Sequence, residues 1–229
     1  MIADRFASIS NEFKPIDESL ISIPPGKKEF VPFFSPLQVL NQLLKLKTKK
    51  STTPNDIPSS IIKEYAEFIC VPLSQILNTC VSRGEYPRIW KIETQTPIPK
   101  EYPVQNIDML RNISILKNFD KVAETMLAEI MISDMKEKMD QAQYGNCKGV
   151  SVQHYLMKMI HKILVELDNS KKGDTFAVVD AMIDWKEAFP RQCPTLGVQS
   201  WIRNGVRPAL IPLLTDFFRD RVMSVSWHE

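Results

Sequence analysis

Two carboxylates in one short segment have the clearest potential for chemistry. Residues 176–184 read Phe-Ala-Val-Val-Asp-Ala-Met-Ile-Asp, with aspartates at positions 180 and 184. An apolar run rich in Val and Ile predicts a buried β-strand that ends at Asp184. A buried carboxylate is energetically costly without a partner, and a divalent cation is the usual partner at the end of such a strand. The alternative is that Asp184 only caps the turn that follows it, as an N-cap residue.

A run of lysines offers a second kind of chemistry. Lys45, Lys47, Lys49 and Lys50 lie close together in the chain. Such a cluster binds phosphate groups through non-specific electrostatic attraction. It also lies where a predicted helix ends, and cations are favourable at a helix C-terminus whether or not a ligand binds. Both interpretations stay open from the sequence.

The composition limits the class of protein. The chain has 229 residues, and its hydrophobic content of 44% is enough to build a core. The 29 basic and 27 acidic side chains give a net charge of +2, so any attraction to nucleic acid must be local. The four cysteines are scattered, no long apolar run occurs and the first residues do not resemble a secretory signal. We therefore expect an intracellular protein, cytoplasmic or nuclear, that does not associate with membranes.

The remaining patterns predict an α+β fold that is mostly helical with a few antiparallel strands. Ser35 followed by Pro36 is a typical helix start, and Gly84 is a typical helix end. Strands are expected over residues 93–98, 176–184 and 221–227. Further helices are expected over residues 3–13, 59–70, 72–83, 118–139, 151–167, 195–204 and 208–218.

Six short motifs follow one another along the chain. They are Thr53-Pro-Asn-Asp-Ile-Pro58, Gly84-Glu-Tyr-Pro-Arg-Ile-Trp-Lys91, Thr96-Pro-Ile-Pro-Lys100, Leu110-Arg-Asn-Ile-Ser-Ile115, Gln143-Tyr-Gly-Asn-Cys-Lys-Gly-Val-Ser151 and Asp184-Trp-Lys-Glu-Ala-Phe189. In this order and spacing they resemble the reverse transcriptase (RNA-directed DNA polymerase) domain of non-LTR retrotransposons of the LINE and jockey type. The resemblance covers about three quarters of the chain, from Thr53 to Trp227.

The resemblance implies a partial right-hand polymerase fold, made of the fingers and the first part of the palm. Residues 1–35 would then be a lead-in segment and residues 36–150 a fingers-like region. Residues 151–229 would form a partial palm that carries the first catalytic motif.

The resemblance also implies roles for individual residues. Asp184 would bind the catalytic magnesium ions, and Phe189 would lie under the sugar of the incoming deoxynucleotide. Lys100 and Arg111 would bind its triphosphate, and the alternative is that both are ordinary surface cations. Asp180 offers a second register for the metal ligand, but that register loses the Ala-Phe pair that follows Asp184.

The loop at residues 143–151 would border the template–primer groove. Gly149 would let a polynucleotide approach the backbone closely, and Lys148 would supply a cation. In place of the family's aromatic residue and two arginines stand Asn146, Cys147 and Val150. This departure removes a stacking ring and two cations, which weakens the expected contact with a template.

A further departure concerns the other half of the catalytic site. Two-metal phosphoryl transfer needs carboxylates on both sides of the ion pair, and the family's aromatic-x-Asp-Asp motif does not occur before Glu229. Our hypothesis is a truncated fragment of a reverse transcriptase that is inactive by itself. The intact enzyme would use Mg²⁺, an RNA template, a DNA primer and deoxynucleoside triphosphates. The alternative is a non-catalytic remnant that binds nucleic acid, through the lysines at positions 45, 47, 49 and 50 and the fingers cations, or that binds other proteins.

Overall fold

The computed structural model describes residues 2–10, 15–23, 31–48, 55–145, 147, 149–169, 179–184 and 191–226. Eight α-helices and three β-strands lie within these residues, which confirms the α+β class. The helices are α1 (Ile2–Ser10), α2 (Pro36–Lys45), α3 (Ser59–Glu64), α4 (Ala66–Arg83), α5 (Asn118–Met135), α6 (Val152–Asn169), α7 (Pro194–Asn204) and α8 (Ile211–Phe218). The strands are β1 (Ile92–Pro99), β2 (Leu110–Ile115) and β3 (Val222–Val225).

The chain forms two compact units. The larger comprises Met1–Lys136 with Ala188–Glu229 and contains the sheet, and the smaller comprises Glu137–Glu187 and contains α6. The expected boundary near residue 150 divides a fingers-like region from a partial palm. This functional division stays a prediction.

Helix α4 carries the longest buried stripe of the larger unit. Its buried side chains include Ala66, Cys70, Leu73 and Leu77, at the three- and four-residue spacing that turns one helix face inward. The expected break near residue 71 is wrong, because α4 runs through Pro72 and the break falls at Tyr65. A proline inside a helix removes one backbone hydrogen bond. Burial of each leucine contributes about 1.5–3 kcal/mol, which favours keeping the stripe in one helix.

Helix α2 begins where the sequence predicts. The Ser35 side chain accepts the backbone N–H of Gln38 at 3.3 Å, and Gln38 Oε1 accepts the backbone N–H of Ser35 at 2.9 Å. This capping box satisfies two amides that have no partner within the helix. The helix ends at Lys45, so that Lys47 lies just beyond its last turn.

Gly84 ends α4 as expected. Its φ is +66°, and a β-carbon built on it would lie 2.6 Å from Cβ of Pro212 in α8. Glycine is therefore required both by the left-handed backbone and by the close approach of α8.

Replacement of Gly84 by alanine is expected to lower the free energy of unfolding. The left-handed backbone conformation alone costs alanine about 1–2 kcal/mol, and the close contact with Pro212 increases this cost. The matched control is Gly197→Ala, because Gly197 lies inside α7 and its added β-carbon would lie 3.5 Å from Gln192 Nε2, an ordinary van der Waals contact. The control should keep its stability or gain up to about 1 kcal/mol. Urea unfolding followed by circular dichroism measures both variants, and equal midpoints would contradict this role for Gly84.

The three strands form one sheet in the order β2-β1-β3. Strand β1 pairs antiparallel with β2 and parallel with β3, so the expectation of antiparallel strands is wrong for β3. A long, largely helical stretch of chain separates β1 from β3, and such connections permit parallel pairing. The sequence patterns do not predict β2.

Strand β1 contains two prolines, Pro97 and Pro99, that do not disturb its pairing. The backbone N–H of Lys100 donates to the carbonyl of Met109 at 2.8 Å, on the β2 side. Backbone groups alternate between the two edges of a strand, so the nitrogens at positions 97 and 99 face the β3 side. The pairing with β3 ends at Gln95 and Val225, so neither proline removes a hydrogen bond of the sheet formed by the described strands.

The smaller unit has a different character. None of the described residues of α6 is buried, and Val152 and Met157 are 72% and 71% exposed. Within the part of the chain that the structure describes, no helix has both the length and the apolar character needed to cross a membrane.

Candidate functional site

The hairpin of β1 and β2 carries two of the predicted site residues. Ile98 pairs with Arg111, and Lys100 lies opposite Met109 through the backbone hydrogen bond described above. Paired residues, and residues two apart on one strand, lie on the same face of a sheet. Lys100 follows the last paired residue of β1, so continuing the alternation of the strand places it diagonally across from Arg111 on one face, with β-carbons about 7 Å apart.

That face of the hairpin is open to solvent. Lys100 and Arg111 are exposed, whereas Gln95, Pro97 and Leu110 on the opposite face are buried. Two cations at this spacing can bind different oxygens of one polyphosphate, since a guanidinium binds as a two-pronged donor and an ammonium as a point charge. The hairpin thus has the chemistry for a phosphate site.

The side chain of Lys100 is held at the hairpin turn. Its Nζ donates to the backbone carbonyl of Asp108 at 2.8 Å. The Asp108 carboxylate accepts a hydrogen bond from Arg5 Nε at 3.0 Å, which ties α1 to the same turn. An ammonium has three N–H donors, so the contact with the carbonyl leaves capacity for a phosphate oxygen.

The segment from Gly84 to Lys91 fastens the start of β1 to α8. Lys91 Nζ lies 2.8 Å from Asp216 Oδ2, and the two side chains are only 7% and 14% exposed. The same carboxylate oxygen accepts the backbone N–H of Tyr86 at 2.6 Å. Trp90 packs edge-to-face on Tyr86 with 5.7 Å between ring centroids. This part of the motif therefore positions the strand whose far end leads to Lys100.

A buried group of titratable side chains lies beside this anchor. The Tyr86 hydroxyl donates to Asp120 Oδ1 at 2.5 Å, and Asp120 is 1% exposed. Burial raises the pKa of Asp120, although the hydrogen bond from Tyr86 opposes the rise. Burial also raises the pKa of Glu124 to about 7, and the negative charge of Asp120 adds to that effect. Sequence reasoning missed this group, although Asp120 occupies a position of the apolar stripe of α5 and could have indicated it.

Arg221 is the cation of this group. Its Nη2 lies 3.6 Å from Glu93 Oε2, and its guanidinium carbon lies 4.3 Å from the ring centroid of Phe217. Burial, together with the charge of Asp120, raises the pKa of Tyr86, which keeps its hydroxyl protonated as a donor. The group joins α5, β1 and the residue before β3, so its role is to fix the sheet against the helices.

The structure differs from the expected buried strand before Asp184. Residues 179–184 have no regular secondary structure, and Val179, Met182 and Ile183 are 88%, 89% and 80% exposed. The sheet formed by the described strands does not include this segment, and an apolar run is buried only where strands pair with it and other elements cover it. The expectation of burial is therefore wrong for residues 179–184, and residues 176–178 of the expected strand lie outside the described residues.

Asp184 is also the predicted magnesium ligand. Among the residues that the structure describes, no group of three or more His, Cys, Asp or Glu side chains could hold a metal ion. Asp184 offers a single exposed carboxylate, so these residues alone do not complete a magnesium site. Its role as a ligand stays a prediction. Phe189, predicted to contact the nucleotide sugar, lies outside the described residues.

The predicted nucleic-acid-binding residues are only partly described. Lys47 is exposed, whereas Lys49, Lys50 and Lys148 lie outside the described residues. Gly149 has a φ of +80°, and a β-carbon added there would have no atom within 4 Å. Its backbone conformation requires glycine, and the space around it is open.

A groove between α2 and α5 contains Lys47 and consists of two adjoining halves. One half has a volume of about 460 Å³ and the other about 500 Å³. Gln42, Lys45 and Glu129 line both halves, so the two halves meet at these residues. The first half also contains Lys121, and the second contains Phe33.

Comparison with known proteins relates the chain to a polymerase of a mobile element. No family model matches the chain. The chain is 22% identical over 192 residues to the RNA-directed DNA polymerase from mobile element jockey of Drosophila melanogaster. The match covers 82% of this chain and 20% of the relative, so the chain spans about a fifth of that protein's length. This similarity supports a reverse-transcriptase-like relationship.

Proposed function

We propose that the chain is part of a retroelement RNA-directed DNA polymerase, and that its β1–β2 hairpin binds the triphosphate of the incoming deoxynucleotide. The observation that carries the proposal is the hairpin register, in which Lys100 and Arg111 lie on one exposed face. Support also comes from the similarity to a polymerase of a mobile element. A DNA polymerase must hold a strongly anionic substrate, and proteins do so with converging cations.

The two cations have different tasks in this proposal. Arg111 donates two parallel hydrogen bonds to phosphate oxygens, which fixes the orientation of the triphosphate. Lys100 neutralises charge at the hairpin turn, where its contact with the carbonyl of Asp108 holds the ammonium before the nucleotide binds. A side chain that is already positioned loses less entropy when the ligand arrives.

The remaining roles follow from the motif resemblance. Asp184 supplies one carboxylate toward Mg²⁺ in the intact enzyme, and Phe189 contacts the sugar of the nucleotide. Magnesium, when bound, neutralises negative charge on the triphosphate. An RNA template and a DNA primer complete the substrates.

The double variant Lys100→Ala/Arg111→Ala is expected to weaken deoxynucleoside triphosphate binding by at least tenfold, because charge-assisted hydrogen bonds contribute about 1.5–3 kcal/mol each. Titration of the 229-residue chain with a fluorescent deoxynucleoside triphosphate measures the affinity. Arg83→Ala/Arg88→Ala is the charge-matched control, since both arginines are exposed cations before the start of β1. Equal affinity of the double variant and the control would contradict the proposed function.

A further inference from the structure

The α2–α5 groove is cationic although the whole chain is nearly neutral. Lys45, Lys47 and Lys121 line its first half, and the only carboxylate among the lining residues is Glu129. The net charge of the entire chain is +2, so three lysines against one carboxylate form a local concentration of positive charge. Such a concentration attracts a polyanion.

The second half of the groove presents an aromatic ring on a fixed backbone. Phe33 lines the groove and is 65% exposed, whereas the next residue, Phe34, is 3% exposed. The backbone N–H of Phe34 donates to Asn78 Oδ1 at 2.8 Å, and its carbonyl accepts from Asn78 Nδ2 at 3.0 Å. Because these contacts fix the chain next to Phe33, its exposed ring is available as a stacking surface for a planar group.

Polar side chains also line the two halves of the groove. They can donate to and accept from bases and sugars, and they are Gln38, Asn41, Gln42, Asn118, Thr125 and Ser133. The groove follows α5 over residues 118–133, which at 1.5 Å per residue is about 22 Å. This length suits a chain of several nucleotides better than a single one.

We propose that the α2–α5 groove binds a single-stranded polynucleotide, with phosphates at Lys45, Lys47 and Lys121 and a base stacked on Phe33. A cationic groove combined with a stacking aromatic ring is typical of single-strand binding that tolerates many sequences. A duplex fits less well, because its bases are already stacked on one another. The inference rests on the proposed function, since a template-directed polymerase handles a single strand, but it concerns residues separate from Lys100 and Arg111.

Glu129 is the residue that limits affinity in this groove. Gln42 Nε2 donates to its two carboxylate oxygens at 3.1 and 3.2 Å, which holds the negative charge where the two halves meet. A phosphate in the groove is repelled by this carboxylate. Glu129→Gln removes the charge and keeps the size, so it should strengthen binding about threefold.

Fluorescence anisotropy of the 229-residue chain with labelled single-stranded RNA and DNA, at several salt concentrations, tests the proposal. Lys45→Ala/Lys47→Ala should weaken binding about tenfold and reduce the salt slope by about 1.4, since each lost phosphate contact accounts for about 0.7. Phe33→Ala should weaken binding at least fivefold, whereas Phe33→Tyr keeps the ring and should bind like the native chain. The substituted side chains are exposed, and circular dichroism checks that each variant keeps its fold.

The outcomes separate this proposal from the proposed function. Unchanged affinity of the double lysine variant, or of Phe33→Ala, overturns the groove as the binding site, and so does the absence of binding by the native chain. Heparin that competes as strongly as the oligonucleotide, with no effect of Phe33→Ala, identifies a general polyanion surface and also overturns it. Lys100→Ala/Arg111→Ala should bind the oligonucleotide normally. If only Lys100→Ala/Arg111→Ala loses oligonucleotide binding, the groove is not the binding site. If this variant binds the triphosphate as the native chain does, only the proposed function is overturned.

Discussion

Replacement of Asp216 by alanine is expected to lower the free energy of unfolding by about 3–5 kcal/mol. The Lys91 ammonium lies 2.8 Å from Asp216 and its side chain is 7% exposed, so the variant leaves a buried cation without its anion. The backbone N–H of Tyr86 loses the same acceptor. The buried ammonium and the buried N–H are then desolvated without a partner, and this uncompensated desolvation destabilises the folded state.

Urea unfolding of the variant measures this effect, and two further variants test its cause. In Lys91→Met/Asp216→Leu both charges are absent, so much of the stability lost in Asp216→Ala should return. Asp108→Ala removes an exposed carboxylate that pairs with Arg5, with side chains 67% and 29% exposed. That variant should change stability by less than about 1 kcal/mol. A double variant no more stable than Asp216→Ala, or an equal loss in Asp108→Ala, would show that the buried pair is not the cause.

Local signals in the sequence predict the ends of several elements correctly. Ser35 and Pro36 start α2, and Gly84 ends α4, because capping chemistry depends on residues that are neighbours in the chain. Pro72 misleads the same reasoning. Its effect on the helix is local, but the buried stripe of α4 that outweighs it depends on packing against other elements.

Contacts between distant parts of the chain account for what the sequence patterns do not predict. Strand β2 is stabilised by its pairing with β1, and β3 pairs parallel with β1, from which it is separated by more than 100 residues. The hydrogen bond from Tyr86 to Asp120 likewise joins residues 34 positions apart. No local pattern encodes such partners, so tertiary structure is needed to identify them.

The candidate site shows the same division. The motif resemblance indicates Lys100 and Arg111 individually, but their common face follows from the register of two strands. Lys47 is indicated as a phosphate-binding residue, whereas its neighbours Lys121 and Phe33 become apparent only when α2 and α5 lie side by side. Residue type thus suggests the chemistry, and the pairing of elements determines which residues act together.

Stability is expected to fall as the pH rises from about 4.5 to about 7, because of Glu124. Its pKa is raised from 4.5 to about 7 in the folded protein, by burial first and by the negative charge of Asp120 second. The folded state therefore binds this proton more tightly than the unfolded state, so the stabilisation is complete below pH 4.5 and is lost as the pH rises through 7. Glu93 raises the same pKa and Arg221 lowers it. The effect amounts to about 2–3 kcal/mol, because partial exposure reduces the full value of the shift.

Urea midpoints at pH 5 and pH 8 measure this dependence for the native chain and two variants. Glu124→Gln cannot lose a proton, so its midpoint should change less between the two pH values. Glu129→Gln alters an exposed carboxylate on the same helix and should keep the native difference. An equal difference in all three proteins would exclude Glu124 as the source.

Tyr86→Phe separates the contribution of Asp120 to the pH dependence of stability from that of Glu124, and the same urea unfolding measures it. The Tyr86 hydroxyl donates to the Asp120 carboxylate and opposes the rise that burial causes in the pKa of Asp120. Without the hydroxyl, the pKa of Asp120 should rise further, so the ionised form becomes less favourable in the folded protein. The variant should lose about 1–3 kcal/mol at pH 8, and the loss should shrink as the pH falls, because a protonated Asp120 needs no donor. A loss that is the same at pH 5 and pH 8 would show that the hydrogen bond from Tyr86 does not alter the pKa of Asp120.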